Sequence, residues 1–180
     1  MIYLFLANGF EEVEALAPLD LLRRAGLSVT TVAVGGKNLV VGAHGIPVEA
    51  DIPEELFRDS NPEAVILPGG MPGAKNLDAS RTVDAALRAC QNHGGILAAI
   101  CAAPMILGKR GYLSGKKATC FPGFESDLRG AILSNQKVVR DGNLVTAAGM
   151  GVATEFGLAL VACFCGENKA KELARAIQMN

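Results

Sequence analysis

The chain has 180 residues, half of them apolar and 19% charged, with a net charge of −1. That composition excludes a disordered segment and is expected to give a single domain, residues 1–180, with a substantial buried core. No clustered Lys/Arg tract offers a footprint for nucleic acid. The longest apolar runs, about Ile96 to Leu107 and Leu158 to Cys165, are too short for a membrane span.

The N-terminal run Met1-Ile2-Tyr3-Leu4-Phe5-Leu6-Ala7 has no basic flank and leads into Glu11-Glu12, so it reads as a first strand and not as a signal peptide. Ile2–Ala7 is followed by a helix from about Glu11 to Ala25, stopped at Gly26. Leu27–Val34 is a second strand ended by Gly35-Gly36. Asn38–Val41 and Ile46–Ala50 form two short strands around a turn at Gly42 to Gly45. Ala64–Leu67 is a short buried strand that runs into Pro68-Gly69-Gly70-Met71-Pro72-Gly73. Ser80 is placed to cap a helix whose apolar face carries Val83, Leu87 and Cys90. An apolar strand ending at Ile100 and a helix after Cys101 follow, then a strand Lys117–Cys120. Lys137–Val139 and Asn143–Ala147 flank an Asp141-Gly142 turn as a hairpin. Helices Ala153–Cys165 and Asn168–Gln178 close the chain. Strands alternating with helices predict a mostly parallel α/β sheet covered on both faces.

Five cysteines without framework spacing argue against a disulfide scaffold and for a reducing cytoplasm. With two histidines and no CxxC pair there is no zinc-ligand spacing, and we expect neither metal nor cofactor. Cys163 and Cys165 lie two apart on a helix and so face different ways. A cysteine in an apolar segment is ordinarily a small buried hydrophobe. Cys101 differs in its surroundings. It sits between an apolar strand and a helix, with Ala99 and Ala103 two positions to either side. That is the shape of a nucleophile elbow, where small neighbours permit a tight turn. Backbone N–H groups and the positive end of the helix dipole there are expected to lower the thiol pKa.

In open α/β sheets, sites form beyond the carboxyl ends of the strands. Three loops qualify: Asn8–Glu14, Pro68–Gly73 and the elbow. In the first, Glu11 and Glu12 suit the positive end of a helix. Glu14 differs because Pro18, four residues on, cannot donate to its carbonyl, which distorts the helix start. A carboxyl there can reach the site, be desolvated and hold a proton, and so bond Cys101 or shuttle a proton. The N–H groups of Gly70 and Ala102 would form an oxyanion hole beside the sulfur. No Gly-Lys-Ser/Thr follows the glycines, so this is no P-loop. His93 precedes the elbow strand and is expected roughly 20 Å from Cys101, at the other end of the sheet. His44 lies in a hairpin turn that the sequence does not place near the site. No Cys–His pair for peptide or amide hydrolysis is evident.

Phe10-Glu11-Glu12-Val13-Glu14-Ala15 with Pro18 and Asp20, Leu67-Pro68-Gly69-Gly70, Ala98-Ala99-Ile100-Cys101-Ala102-Ala103-Pro104 and Gly149-Met150-Gly151 occur in that order. Together they resemble the ThiJ/PfpI superfamily, specifically its DJ-one/YajL-type branch, over nearly the whole chain. The resemblance implies a flavodoxin-like three-layer sandwich, a homodimer, Cys101 as the reactive cysteine, Glu14 as the acid bonded to it, and Gly70 and Ala102 as backbone donors. Some members carry a histidine in a Thr-His-Pro segment. This chain has Thr119-Cys120-Phe121-Pro122, with Phe121 in that place. Ala102 stands where the peptidase-like branch has histidine, which argues against proteolysis.

The implied activity is cysteine-dependent turnover of reactive dicarbonyls, as a glutathione-independent glyoxalase or a deglycase, with a small carbonyl as partner molecule. Two alternatives stand beside it. One is an oxidative-stress sensor or chaperone acting through sulfinic acid formation at Cys101, with an oxidant as partner. The other is a class I glutamine amidotransferase-like hydrolase, disfavoured by the missing histidine.

Overall fold

A computed structural model describes residues 1–179. Its first strand, β1 (Ile2–Ala7), is an unbroken apolar run and lies inside the sheet with a parallel neighbour on each side. Helix α1 (Glu12–Arg24) has acids in its first turn and Arg23 and Arg24 in its last, matching the helix dipole at both ends. The chain returns as β2 (Val29–Val34), then forms an antiparallel ribbon of β3 (Leu39–Val41) and β4 (Pro47–Glu49). A two-residue strand, β5 (Ile52–Pro53), pairs with β2 at the sheet edge, where a proline costs no ladder bond.

Next come β6 (Ala64–Leu67), α2 (Gly73–Ala79), α3 (Arg81–Asn92) and β7 (Ile96–Ile100). The Ser80 hydroxyl accepts the Val83 N–H at 3.2 Å and caps α3, and Cys90 is fully buried on its inner face. After β7 come α4 (Pro104–Lys109), β8 (Lys117–Ala118), β9 (Ile132–Leu133), β10 (Val138–Asp141), β11 (Leu144–Ala147), α5 (Ala153–Cys165) and α6 (Glu167–Ala176).

The main sheet runs β10-β11-β7-β6-β1-β2-β5, parallel throughout except for the β10–β11 hairpin. Successive β1 side chains enter opposite layers, as the two-residue period of a strand requires. Leu4 and Leu6 pack with Leu22 of α1 and with Phe156 and Leu160 of α5. Phe5 and Ala7 pack with Leu77, Leu87 and Ile106 from α2, α3 and α4. The expected α/β sandwich, a mostly parallel sheet between two helical layers, is therefore the observed architecture.

Three local expectations are corrected. Helix α2 fills a stretch to which the sequence assigns no element: in seven residues it buries only Gly73, Ala74 and Leu77, too few positions to register as a helical period. The strand expected over Lys117–Cys120 stops at Ala118 and pairs with β9 in a separate two-stranded sheet. The last helix spans Glu167–Ala176 instead of Asn168–Gln178. No helix among the described residues is long and apolar enough to cross a membrane.

The sheet order sets the site. β7, β6 and β1 are consecutive neighbours, so the loops at their carboxyl ends open side by side. Helix α4, which follows the elbow, is tied down by Arg110. Its guanidinium bonds Asp78 at 2.6 Å and Asp84 at 3.0 Å, joining α4 to α2 and α3.

Candidate active site

The first two loops lock together through their backbones. Glu11 N–H donates to Gly69 O at 3.0 Å, Gly73 N–H to Gly9 O at 3.1 Å, and Ala74 N–H to Gly70 O at 2.9 Å. Gly70 has φ +84°, and a Cβ there would fall 2.3 Å from Glu11 N, so the contact needs glycine on both counts.

Cys101 is a sharp turn in fact. Its φ is +65°, in the left-handed region where a non-glycine residue is strained. Its N–H donates to Ala147 O at 2.9 Å on β11, and its carbonyl accepts the Phe121 N–H at 2.8 Å. Held from both sides, the side chain projects beyond β7 and remains part exposed. The backbone N–H groups of Ala102 and Gly70 and the Glu14 side chain are the polar groups close enough to act on its sulfur. The structure thus brings together all four residues singled out in the sequence.

Glu14 comes from the first turn of α1 and is 1% exposed. Its Oε2 accepts the Gly69 N–H at 3.0 Å, and the Met150 N–H lies close enough to the same carboxyl to favour its ionised form. Gly69 is the second glycine the site requires. A Cβ there would lie 2.6 Å from Glu14 Oε2 and 2.7 Å from Cys101 Cβ, prying acid and thiol apart. Gly69 and Met150 were not singled out as carboxyl partners from sequence, since backbone donors leave no side-chain signature.

Burial pushes the Glu14 carboxyl up to about 7, with the Glu11 charge adding to the rise and the bonds from Cys101, Gly69 and Met150 opposing it. The expectation of an acidified thiol is reversed. Burial, then the charge and hydrogen bond of Glu14, push Cys101 up to about 12, against the Ala102 and Gly70 donors. Two of those three upward causes act only while Glu14 is ionised. When Glu14 holds the proton, its O–H donates to the sulfur and the neighbouring charge is gone. A buried pair of this kind carries at most one negative charge near neutrality.

Neither histidine bonds the pair. His93 Nε2 lies 3.0 Å from Pro62 O, near the amino end of β7 as expected. His44 Nδ1 lies 2.8 Å from Glu12 Oε2, and its N–H donates to Glu12 Oε1 at 2.7 Å. Glu12, read from sequence only as an acid suited to the positive end of a helix, is 4% exposed and anchors the β3–β4 turn. Glu11 caps the helix through its side chain, accepting the Glu14 N–H at 2.7 Å. Ligand atoms of Glu11, Glu12 and His44 lie within 4.8 Å of one another, but these capping and anchoring bonds already engage them.

A family model described as the DJ-1/PfpI family matches residues 1–163. The chain belongs to the DJ-1/PfpI family. It is similar to the Drosophila melanogaster protein dj-1beta, 36% identical over 174 residues that cover 96% of this chain and 93% of that protein. A deglycase from Pyrococcus horikoshii is 33% identical over 143 residues, 78% of this chain and 85% of that one. The oxidised DJ-1 of Toxoplasma gondii, a solved structure, superposes with a TM-score of 0.94 at 31% identity, covering 98% of this chain and 97% of the other.

Within this DJ-1/PfpI fold a cavity of about 510 Å3, lined by Phe121, Pro122, Lys137 and the segment Ala148–Val152, lies beside the pair and meets it at Gly149, although neither Cys101 nor Glu14 lines it. Another, of about 350 Å3 between β10, α5 and α6, includes no residue of the site.

Proposed function

We propose that this protein is a cysteine-dependent enzyme acting on small reactive dicarbonyls, converting an α-oxoaldehyde and water to a 2-hydroxy acid without glutathione. What supports this reading is the thiol of Cys101 set beside a fully buried acid, Glu14, whose proton affinity burial sets near neutrality. The family membership and the similarity to a deglycase support it at a coarser level.

The thiol proton passes to the Glu14 carboxylate, and the sulfur adds to the aldehyde carbon. The carbonyl electron pair moves onto oxygen, where N–H groups of Gly70 and Ala102 stabilise it and Glu14 returns the proton. Glu14 then takes the hydrogen of that carbon as a proton, and the electrons pass into the adjacent carbonyl. The oxygen of that carbonyl takes up the hydroxyl proton of the first carbon, and the carbon-bound proton returns at the second carbon. The first carbon is oxidised to a thioester and the second reduced to an alcohol, so no external oxidant is needed. Water releases the hydroxy acid and restores the thiol.

Since the pair must lose one proton to react, kcat/KM for methylglyoxal is expected to rise with pH through about 7 and then level off. Purified protein is assayed for lactate between pH 5 and 9. A flat profile, or full activity in Cys101→Ser or Glu14→Ala, would overturn the reading. It also carries the expectations of a cytoplasmic location and of a homodimer, the second of which sedimentation of the purified chain checks.

A second reading, oxidative sensing, draws on the oxidised Toxoplasma relative and on the same acid, which can donate to a sulfinate oxygen at Cys101. Intact-mass measurement after mild peroxide separates the two. Stoichiometric sulfinic acid at Cys101 favours sensing, and oxidation scattered over all five thiols disfavours it.

A further inference from the structure

Phe121 is 48% exposed and Met150 53%, large apolar side chains left to solvent beside the reacting atoms. Exposure of single apolar residues is ordinary; the placement of this pair is less so. The Phe121 N–H bonds the carbonyl of Cys101 at 2.8 Å, and the Met150 N–H is close enough to the carboxyl of Glu14 to lower its proton affinity. The backbone groups that fix the reactive pair therefore belong to the residues whose side chains line the adjoining cavity.

Gly149 shows how close the two regions are. A Cβ there would meet Phe121 Cδ2 at 3.2 Å and Glu14 Oε1 at 4.0 Å, so a single methyl group would touch both ring and acid. The cavity, about 510 Å3, falls in the range of small-molecule sites. Its remaining walls are Pro122 and Val152, with Lys137 as its one cation. Among the described residues no carboxylate forms an ion pair with Lys137.

A substrate whose aldehyde carbon sits at Cys101 must direct its other substituent away from the Gly69-Gly70 wall. On the other side, past Gly149, lies the cavity lined by Phe121 and Met150. A methyl group leaves that apolar surface wet, whereas a ring covers it and can stack on Phe121. Accepting the thiol–acid reading above, we infer that Phe121 and Met150 form a specificity subsite for the carbon substituent of the substrate. The enzyme thereby favours α-oxoaldehydes bearing an aryl group over methylglyoxal, and Lys137 adds a preference for an anionic group on that ring.

The test compares kcat/KM for phenylglyoxal and for methylglyoxal within each protein, so that any loss of folded enzyme cancels in the ratio. The wild-type ratio is expected to exceed one and to fall about tenfold in Phe121→Ala, with Phe121→Leu between the two. The ratio of 4-carboxyphenylglyoxal to phenylglyoxal is expected to fall in Lys137→Gln. An unchanged aryl-to-methyl ratio in Phe121→Ala overturns the subsite.

A second measurement requires no turnover. Benzoylformate, an α-oxo acid with no aldehyde to consume, is expected to protect Cys101 from alkylation by iodoacetamide better than pyruvate does. That advantage should be lost in Phe121→Ala. If neither aldehyde is consumed by any protein, the dicarbonyl reading fails, and the protection experiment alone decides the subsite. Equal protection by the two acids, or an advantage that survives Phe121→Ala, would dismiss it.

Discussion

Replacing Glu14 by glutamine should stabilise the protein at high pH even as it removes the proposed activity. The carboxyl is 1% exposed, and burial moves its titration from the ordinary 4.5 to about 7. Below pH 4.5 it is protonated in folded and unfolded chains alike and contributes no pH dependence. Between 4.5 and 7 the unfolded chain releases a proton that the folded chain retains, so stability falls as pH rises. Each tenfold difference in proton affinity is worth about 1.4 kcal/mol, giving a total loss of about 3 kcal/mol above pH 7. Glutamine keeps an oxygen to accept the Gly69 N–H and has nothing to ionise, so Glu14→Gln should escape that loss. Urea unfolding of both proteins from pH 4 to 9 gives the difference between them, in which the other titrating groups cancel. Cys101→Ala adds an internal control. The thiol's hydrogen bond lowers the Glu14 value, so removing it should move the midpoint of the difference upward. A difference that stays constant over this range, or that runs in Glu14→Gln's disfavour as pH rises, refutes the account of Glu14 as a buried, proton-holding acid.

Gly69→Ala places a methyl group 2.6 Å from Glu14 Oε2 and 2.7 Å from Cys101 Cβ. Dicarbonyl turnover should drop by at least about tenfold and stability by roughly 1–3 kcal/mol, read by kinetics and urea unfolding. Glu12 presents a different balance. Burial alone would raise its carboxyl, but bonds from the His44 ring and from the His44 and Ile46 N–H groups hold it below the usual range. Its contribution is therefore present above the unfolded value and lost as pH falls into the acid range. Glu12→Ala should cost roughly 1–3 kcal/mol and speed hydrogen exchange at the His44 and Ile46 amides. Arg110→Ala removes charge-assisted bonds to Asp78 and Asp84 and leaves them with Lys109 and Arg88 alone, with an expected loss of about 2 kcal/mol in urea unfolding.

The strands of the main sheet were legible because burial on both faces turns them into unbroken apolar runs, as in Ile2–Ala7 and Ala64–Leu67. The elbow was legible from Ala99 and Ala103, since a left-handed turn at a side-chain-bearing residue tolerates little beside it. Helix α2 escaped because its few core positions fall among glycine, asparagine and aspartate. The role of Glu12 escaped for a more general reason. An acid in the first turn of a helix reads as dipole compensation, and its burial depends on a ribbon thirty-odd residues away that lays the His44 turn across it. The backbone donors at Gly69 and Met150 were equally silent, because a peptide N–H is the same at every residue but proline.

The sign of the thiol shift is the deepest of these differences, and it changes the chemistry expected of the site. Sequence context supplies the donors that stabilise a thiolate, Gly70 and Ala102, but carries no measure of desolvation, which acts on any charge placed there. Burial therefore penalises thiolate and carboxylate together, and the cheapest ionised state has one proton shared between sulfur and oxygen. Moving that proton from sulfur to carboxylate leaves the net charge of the pocket unchanged, so activation within the pair avoids the cost of adding a second charge. The proton that leaves Cys101 is then already positioned to neutralise the oxygen of the adduct. An acid held near pH 7 suits both steps, and for that reason the titration of Glu14, more than that of Cys101, should set the pH dependence of the enzyme.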